Sequence, residues 1–109
     1  MPVYTIKNLG QGQLGTSPAG DLYTVPTATS AIVKTITVVN TDTVARIVNL
    51  YIKVSGQTAR KIIPVNTILS AGYSLETDEE FTIGAADKIQ GDADAASKLD
   101  YTLSGVEQS

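Results

Sequence analysis

Short segments of alternating apolar and polar residues, separated by turn residues, follow one another along the chain. The two clearest segments are residues 31–39 and 44–54, and the four residues between them have the Asn, Thr and Asp content of a turn. Alternation with a period of two is typical of a strand with one buried face. The pattern therefore predicts two core-facing sets of side chains: Ile32, Ile36 and Val38, and Val48, Leu50, Ile52 and Val54.

The remaining segments are shorter and have the same character. Val, Ile and Thr together make up 34 of the 109 residues, a share that favours pleated sheet over long helices. Strands are predicted at residues 21–25, 61–65, 67–69, 73–77, 80–83, 88–90 and 99–105, with turns at 55–59, 71–72, 84–87 and 91–94. About eight or nine strands at this spacing predict an all-β fold, an antiparallel two-sheet β-sandwich of jelly-roll type.

The first 20 residues have a different composition from the rest. Four apolar residues, Val3, Tyr4, Ile6 and Leu9, precede a stretch with four glycines and one proline at residues 10–20. We interpret residues 1–20 as an extended glycine-rich N-terminal arm and loop, and residues 21–109 as the β-sandwich domain. As an arm, the segment would add a strand to a neighbouring subunit, and its four apolar residues are predicted to bind that partner. The alternative is an ordinary first strand of the sandwich.

Several patterns that could indicate chemistry lack the context that the chemistry needs. The chain has no Cys and no His, which removes thiolates and the commonest general base and zinc ligand. Residues 10–15 read G-x-G-x-x-G, but no helix is predicted after them to hold a pyrophosphate. The acidic residues at 76, 78, 79 and 80, and Asp92 with Asp94, fit solvated turns better than paired catalytic carboxylates or a calcium loop. We predict no enzymatic activity, no cofactor and no metal.

Charge and hydropathy narrow the range of partners further. The formal net charge is −3 and no basic run exceeds Arg60-Lys61, so a nucleic acid is not an expected partner. The longest aliphatic runs are three residues, far below the roughly 20 that a membrane-spanning helix needs. The N-terminus also lacks the pattern of a signal peptide. We therefore expect a soluble protein without membrane association.

The chain resembles the small β-sandwich virion proteins of tailed bacteriophages, which include capsid decoration proteins and neck or tail accessory proteins. The resemblance spans nearly the whole sequence and carries no catalytic motif. The residues that carry it are Leu22-Tyr23-Thr24-Val25-Pro26, residues 31–41, Val48-Asn49-Leu50-Tyr51-Ile52, residues 69–75, Ala86-Asp87-Lys88-Ile89 and residues 101–107. Where such proteins often have Gly-Asp before the Lys-Ile strand, this chain has Ala86-Asp87.

The resemblance implies a structural protein that binds other virion subunits. Its main implication is a capsid decoration (cement) protein, made in the host cytoplasm and placed on the capsid surface, that stabilises the head shell by contacts with the major capsid protein. Two alternatives stay open, a neck or tail accessory subunit and a surface module that binds glycans. The resemblance and the small core also lead us to expect a homotrimer.

Overall fold

The computed structural model describes residues 3–16, 20–78 and 80–109. Within these residues the chain forms ten β-strands and no helix. The strands are β1 (Tyr4–Gln13), β2 (Gly20–Thr24), β3 (Ser30–Asn40), β4 (Arg46–Lys53), β5 (Arg60–Lys61), β6 (Thr67–Leu69), β7 (Ser74–Thr77), β8 (Phe81–Ile83), β9 (Lys88–Ala93) and β10 (Leu99–Gln108). The predicted all-β class is confirmed.

The strands form two antiparallel sheets that pack face to face. Sheet A has the order β1-β10-β3, and both β7 and β8 pair with the far side of β3. Sheet B has the order β2-β9-β4, and both β5 and β6 pair with the far side of β4. If each of these short pairs counts as one broken strand, the described chain has eight strand positions in the orders 1-8-3-6 and 2-7-4-5. This is the two-sheet arrangement of a jelly roll, so the predicted sandwich is confirmed.

The core lies between the inner faces of the two sheets. It contains Ile36 and Val38 from β3 and Val48 and Leu50 from β4, all at most 1 % exposed, as the alternation predicts. Leu103 of β10 is completely buried among them. Ile52 is partly buried and packs against this cluster. The alternating residues at the centre of the sequence therefore form the centre of the core.

Two predicted core residues point elsewhere. Val54 lies beyond the end of β4 and is 42 % exposed. Ile32 lies within β3 but on its outer face, because β3 contains a bulge: Ser104 pairs with Thr35 and Gly105 with Val33, so the residue between Val33 and Thr35 has no direct partner. A bulge of one residue exchanges the two faces of a strand. The inward set is therefore Ala31 and Val33 before the bulge, and Ile36 and Val38 after it.

The N-terminal segment is a strand of this chain's own sheet. Residues Tyr4–Gln13 pair with β10 along their whole length, with a bulge at Leu9, so the glycine-rich arm is not shown. The predicted loop therefore begins later than Gly10. Gly10 lies inside the strand. A Cβ at this position would come within 2.9 Å of the Leu22 carbonyl oxygen, so the close approach of the two backbones explains why the residue is glycine. Residues 1–2 and 17–19 of the predicted arm and loop lie outside the described residues.

Two further strand boundaries differ from the prediction. The predicted strand 61–65 ends at Lys61, and residues 62–66 form bends and turns, with Asn66 at a positive φ of 56°. The predicted turn at 91–94 is wrong, since β9 continues through Ala93. Gly91 occupies a tight place in that strand, where an added Cβ would lie 3.0–3.1 Å from Leu22 and from atoms of β4. The loop at Gly10 and the turn at Gly91 were mispredicted for the same reason. Glycine is favoured in flexible loops, but it is also favoured inside a strand where a neighbouring strand leaves no space for a side chain.

Candidate interaction surface

An apolar strip crosses the outer face of sheet A near the two chain ends. Its members are Ile6 of β1, Val106 of β10 and Ile32 of β3, which are direct cross-strand neighbours, and Thr82 of β8 continues the row. Side chains of directly paired antiparallel residues lie on the same face, about 5 Å apart. We call Ile6, Val106 and Ile32 the terminal strip.

The terminal strip is open to solvent. Ile6 is 87 % exposed and Ile32 is 36 % exposed. Tyr4, which is 68 % exposed, lies in the next row with Gln108 and Ser30. Between these two rows is a shallow depression of about 90 Å³. The result is an apolar surface with a small recess and an aromatic side chain at its margin, a combination typical of protein contact sites.

The rest of the outer face of sheet A is polar apart from Val39 at its far end. The rows beyond the strip contain Ser104 and Thr35, then Thr102, Thr37 and Glu76. The apolar character is therefore confined to the end where β1 starts and β10 finishes.

The outer face of sheet B carries a hydrogen-bonded polar network. Asp21 accepts hydrogen bonds from Lys88 Nζ at 2.8 Å and from Gln90 Nε2 at 2.7 Å. The bond from Lys88 is the main reason why the pKa of Asp21 lies below its usual value, with the Gln90 bond adding to it. Lys61 Nζ lies 4.8 Å from the centre of the Tyr51 ring, in cation–π contact. These polar side chains are engaged with one another, and the exposed apolar side chain of this face is Ile68 of β6, which pairs with Ile47 of β4 and is 71 % exposed.

A second group on sheet B closes the gap between β5 and β6. Asn49 accepts a hydrogen bond from the Asn66 backbone N–H at 2.8 Å and donates one from Nδ2 to Asp92 Oδ1 at 3.1 Å. Asn49 and Asp92 are both less than 9 % exposed. The Asn49 amide thus holds the left-handed turn at Asn66 against the sheet, a structural role that accounts for its burial.

The edge of β1 next to the terminal strip presents free backbone groups. Val3 and Ser109 exchange two hydrogen bonds of 3.0 and 2.9 Å, so they form a hydrogen-bonded pair at the start of the β1–β10 ladder. In an antiparallel ladder such pairs alternate with pairs whose backbone groups point away from each other. The N–H and C=O groups of Tyr4, Ile6 and Asn8 therefore point away from β10. No described strand pairs with that side of β1.

A polar cluster joins the sheets beneath this edge. Tyr23 of sheet B donates a hydrogen bond of 2.5 Å from its hydroxyl to Glu107 of sheet A, and Lys7 Nζ lies 3.2 Å from the other carboxylate oxygen. The Tyr23 bond is the largest cause of the lowered pKa of Glu107, and Lys7 contributes as well. Burial, followed by the bond to Glu107, raises the pKa of Tyr23. The cluster fixes the edge strand to the opposite sheet.

Two acidic residues that the sequence analysis considered as candidates for chemistry make contacts within the fold. Glu80 pairs with Lys34 at 2.6 Å, and Asp94 accepts a hydrogen bond from the Ile47 N–H at 3.2 Å. Glu79 lies outside the described residues. In the described part of the chain no three Asp, Glu, His or Cys residues are grouped in a way that could hold a metal ion. No helix among those residues is long and apolar enough to cross a membrane.

Of the four residues predicted to bind a partner, Ile6 belongs to the terminal strip and Tyr4 lies in the next row of the same face, whereas the side chain of Val3 alternates to the opposite face. Val3, Tyr4 and Ile6 are each more than half exposed, whereas Leu9 is 8 % exposed and belongs to the core. Sequence reasoning missed Ile32 and Val106, which complete the strip. Residues 31–33 are apolar at every position, so alternation alone could not decide which of them faces outward.

The chain is thus a jelly-roll β-sandwich with an exposed apolar strip beside an open strand edge. No protein-family profile and no curated protein matches the sequence. Solved structures that are similar to this chain include two from infectious bursal disease virus. A chain of the T13 viral particle of infectious bursal disease virus has a TM-score of 0.52 at 9 % identity, over 98 % of this chain and 30 % of that chain. A chain of the Gx strain of the same virus has a TM-score of 0.49 at 14 % identity, over 99 % and 32 % respectively. This protein spans about a third of the length of those chains, and at these identities the likeness shows the fold alone.

Proposed function

We propose that this protein is a structural subunit of a virion, and more specifically a capsid decoration protein that binds neighbouring major capsid subunits. The observation that carries the proposal is the terminal strip, an apolar surface held on a rigid sheet and left open to solvent. Exposed apolar surface is stabilised when a partner covers it, by about 25 cal/mol for each Å² removed from water. A subunit of this kind contributes stability to a shell through contact area and needs no catalytic group.

Two further observations support the proposal. The ionisable side chains that could suggest catalysis are engaged in ion pairs and backbone contacts, as with Glu80 and Asp94. The jelly-roll fold is shared with a chain from an icosahedral viral particle, which is compatible with a shell component. The sequence resemblance to small virion proteins of tailed bacteriophages leads to the same class. A neck or tail accessory subunit differs from a decoration protein in its position on the particle.

The number of copies in each particle tests the class and the position together. Quantitative mass spectrometry of purified particles of the virus that encodes the protein gives its ratio to the major capsid protein. Hundreds of copies are expected for a decoration protein, and about a dozen would instead indicate a neck or tail position, by analogy with such proteins. Absence of the protein from purified particles would overturn the proposal.

A binding experiment tests whether the terminal strip makes the contact. Particles produced without the protein are mixed with the purified wild-type protein or with Ile32→Lys, which places a charge in the middle of the strip. The control is Ile68→Lys, an apolar residue of β6 that is 71 % exposed on the other sheet. We expect at least a tenfold loss of binding for Ile32→Lys and none for the control. Equal binding by both variants would exclude the strip as the contact.

A further inference from the structure

We propose that two copies of this chain pair through the open edge of β1, antiparallel, with Ile6 on the two-fold axis. The pairing would join two A sheets into one continuous sheet across the dimer. The inference depends on the backbone and the side chains of residues 4–8 and does not require that the protein belongs to a virion.

The backbone of this edge has unmet hydrogen-bonding capacity in a regular arrangement. The N–H and C=O groups of Tyr4, Ile6 and Asn8 point to the open side, as the hydrogen-bonded pair Val3–Ser109 and the β1–β10 register require. Groups with this spacing match a second antiparallel strand. With Ile6 opposite Ile6 of the other copy, Tyr4 lies opposite Asn8 in both directions. All three residues then pair in one self-complementary register.

The side chains agree with that register. Residues that pair directly have their side chains on the same face, so the two Ile6 side chains would meet on the outer face of the joined sheet. Each continues into Val106 and Ile32 of its own copy, and the two terminal strips would form one apolar band across the axis. This contact would partly cover Ile6, whose side chain is the most exposed of the described large apolar residues.

The charge and the geometry of β1 define the limits of the pairing. Lys7 is the strand's single charged residue and is paired with Glu107 of its own chain at 3.2 Å. In the proposed register Lys7 lies opposite Thr5 of the other copy, so no like charges face each other. The bulge at Leu9 interrupts the regular strand and confines the pairing to residues 4–8. A bulge that ends pairing also prevents the edge from recruiting further copies.

A contact of five residues on each side is small. It lies well below the roughly 800 Å² per partner of a standard interface, so we expect a weak dimer that depends on protein concentration. The two-fold contact is isologous and gives a dimer, whereas the homotrimer that the sequence resemblance implies would need a heterologous contact repeated around a three-fold axis. Mass in solution distinguishes them, because the dimer has twice and the trimer three times the 11.4 kDa of the chain.

Cysteine crosslinking tests the register directly, because the natural sequence contains no Cys. In a hydrogen-bonded antiparallel pair the Cα atoms are about 5.5 Å apart, within the range of about 4.4–6.8 Å that a disulfide requires. Ile6→Cys is therefore expected to form a disulfide dimer under mild oxidation. Asn8→Cys alone is expected not to, because its two copies would lie roughly 13 Å apart along the strands. A mixture of Tyr4→Cys and Asn8→Cys chains should crosslink as a heterodimer.

A mass measurement tests the contact without crosslinks. Sedimentation equilibrium from about 10 µM to 1 mM is expected to show wild-type dimer forming with concentration, and at least a tenfold weaker association for Ile6→Lys. Ile6→Pro is the second variant, because it removes an N–H that points to the open edge and leaves the β1–β10 hydrogen bonds in place. Ile68→Lys is the matched control and should dimerise like wild type. Circular dichroism confirms that each variant is folded.

The outcomes separate the two proposals. The pairing of β1 is overturned if the wild-type protein stays monomeric at the highest concentration. It is also overturned if the Ile6→Lys variant dimerises as well as the wild type. Crosslinking of Asn8→Cys with itself in place of Ile6→Cys overturns the register. Absence from purified virions, by contrast, overturns the proposed function and leaves the pairing of isolated chains unaffected.

Discussion

Replacement of Gly105 by Ala is expected to destabilise the protein strongly, although it adds only one methyl group. Gly105 lies in β10, at the bulge where that strand pairs with β3. A Cβ at this position would lie well inside 3.0 Å of the Ile32 carbonyl oxygen and 3.0 Å from Leu9 Cδ1. Cβ contacts shorter than 3.0 Å are essentially never seen, so the two strands must separate locally to admit the methyl group.

The magnitude follows from two costs. Adding a methyl group to a well-packed interior typically costs about 1–3 kcal/mol. Because the obstacle to the Gly105 Cβ is backbone, the strain also weakens hydrogen bonds between β10 and β3, each contributing about 1 kcal/mol. We therefore expect a loss of about 3–4 kcal/mol, a large part of the roughly 5–15 kcal/mol by which domains are usually stable.

Urea unfolding followed by circular dichroism measures this loss. The matched control is Gly15→Ala, since a Cβ at Gly15 would have no atom within 4 Å, and we expect that variant to stay within about 1 kcal/mol of wild type. A loss below about 1 kcal/mol for Gly105→Ala, at an unchanged denaturant slope, would show that the strands at the bulge can yield and would refute the reasoning.

Three further predictions concern the core and the polar clusters. Leu103→Ala, at a completely buried position of β10, should lower the free energy of unfolding by about 2–5 kcal/mol in the same assay. Asn49→Ala should cost about 1–3 kcal/mol, because it leaves the Asn66 N–H without its acceptor; a change below 0.5 kcal/mol, on the order of experimental error, would contradict this role. The pKa of Glu107 is lowered by its bonds from Tyr23 and Lys7, so the unfolded state binds more protons in acid. The stability advantage of wild type over Glu107→Gln should therefore be full above the ordinary carboxyl pKa of 4.5 and shrink as the pH falls below it. An advantage that does not change with pH would exclude an ionic contribution of Glu107 to stability.

The sequence was sufficient to predict the sandwich and the centre of its core. Ile36, Val38, Val48 and Leu50 alternate with polar or small residues, and a half-buried sheet imposes that alternation wherever the strand is regular. That Tyr4 and Ile6 bind a partner came from composition and stays a prediction, and the structure adds that both residues are exposed. A regular strand leaves a pattern of alternation in its own segment of the sequence, and this is why these strands could be predicted from the sequence.

The remaining features depend on contacts between residues far apart in the sequence. Gly10 and Gly91 look like loop residues because glycine permits tight turns, but both lie in strands that pass close to Leu22. A sequence contains no sign of which neighbour will crowd a glycine. The same limit applies to Leu9, whose position in the chain fits an exposed arm but whose side chain belongs to the buried core cluster.

The bulge in β3 connects the core to the candidate surface. If Lys34 were paired regularly and β3 had no bulge, Ile32 would share the inner face with Ile36, and Ala31 and Val33 would face solvent. With the bulge, the smaller Ala31 and Val33 point into the core, and the larger Ile32 lies on the outer face beside Val106. The terminal strip therefore exists because one residue in β3 has no direct partner in β10. The crowding at Gly105 is the internal consequence of the same irregularity, since the Ile32 carbonyl at the bulge leaves no space for a side chain there. A substitution that relaxes the bulge should consequently alter the stability of the core and the shape of the contact surface together.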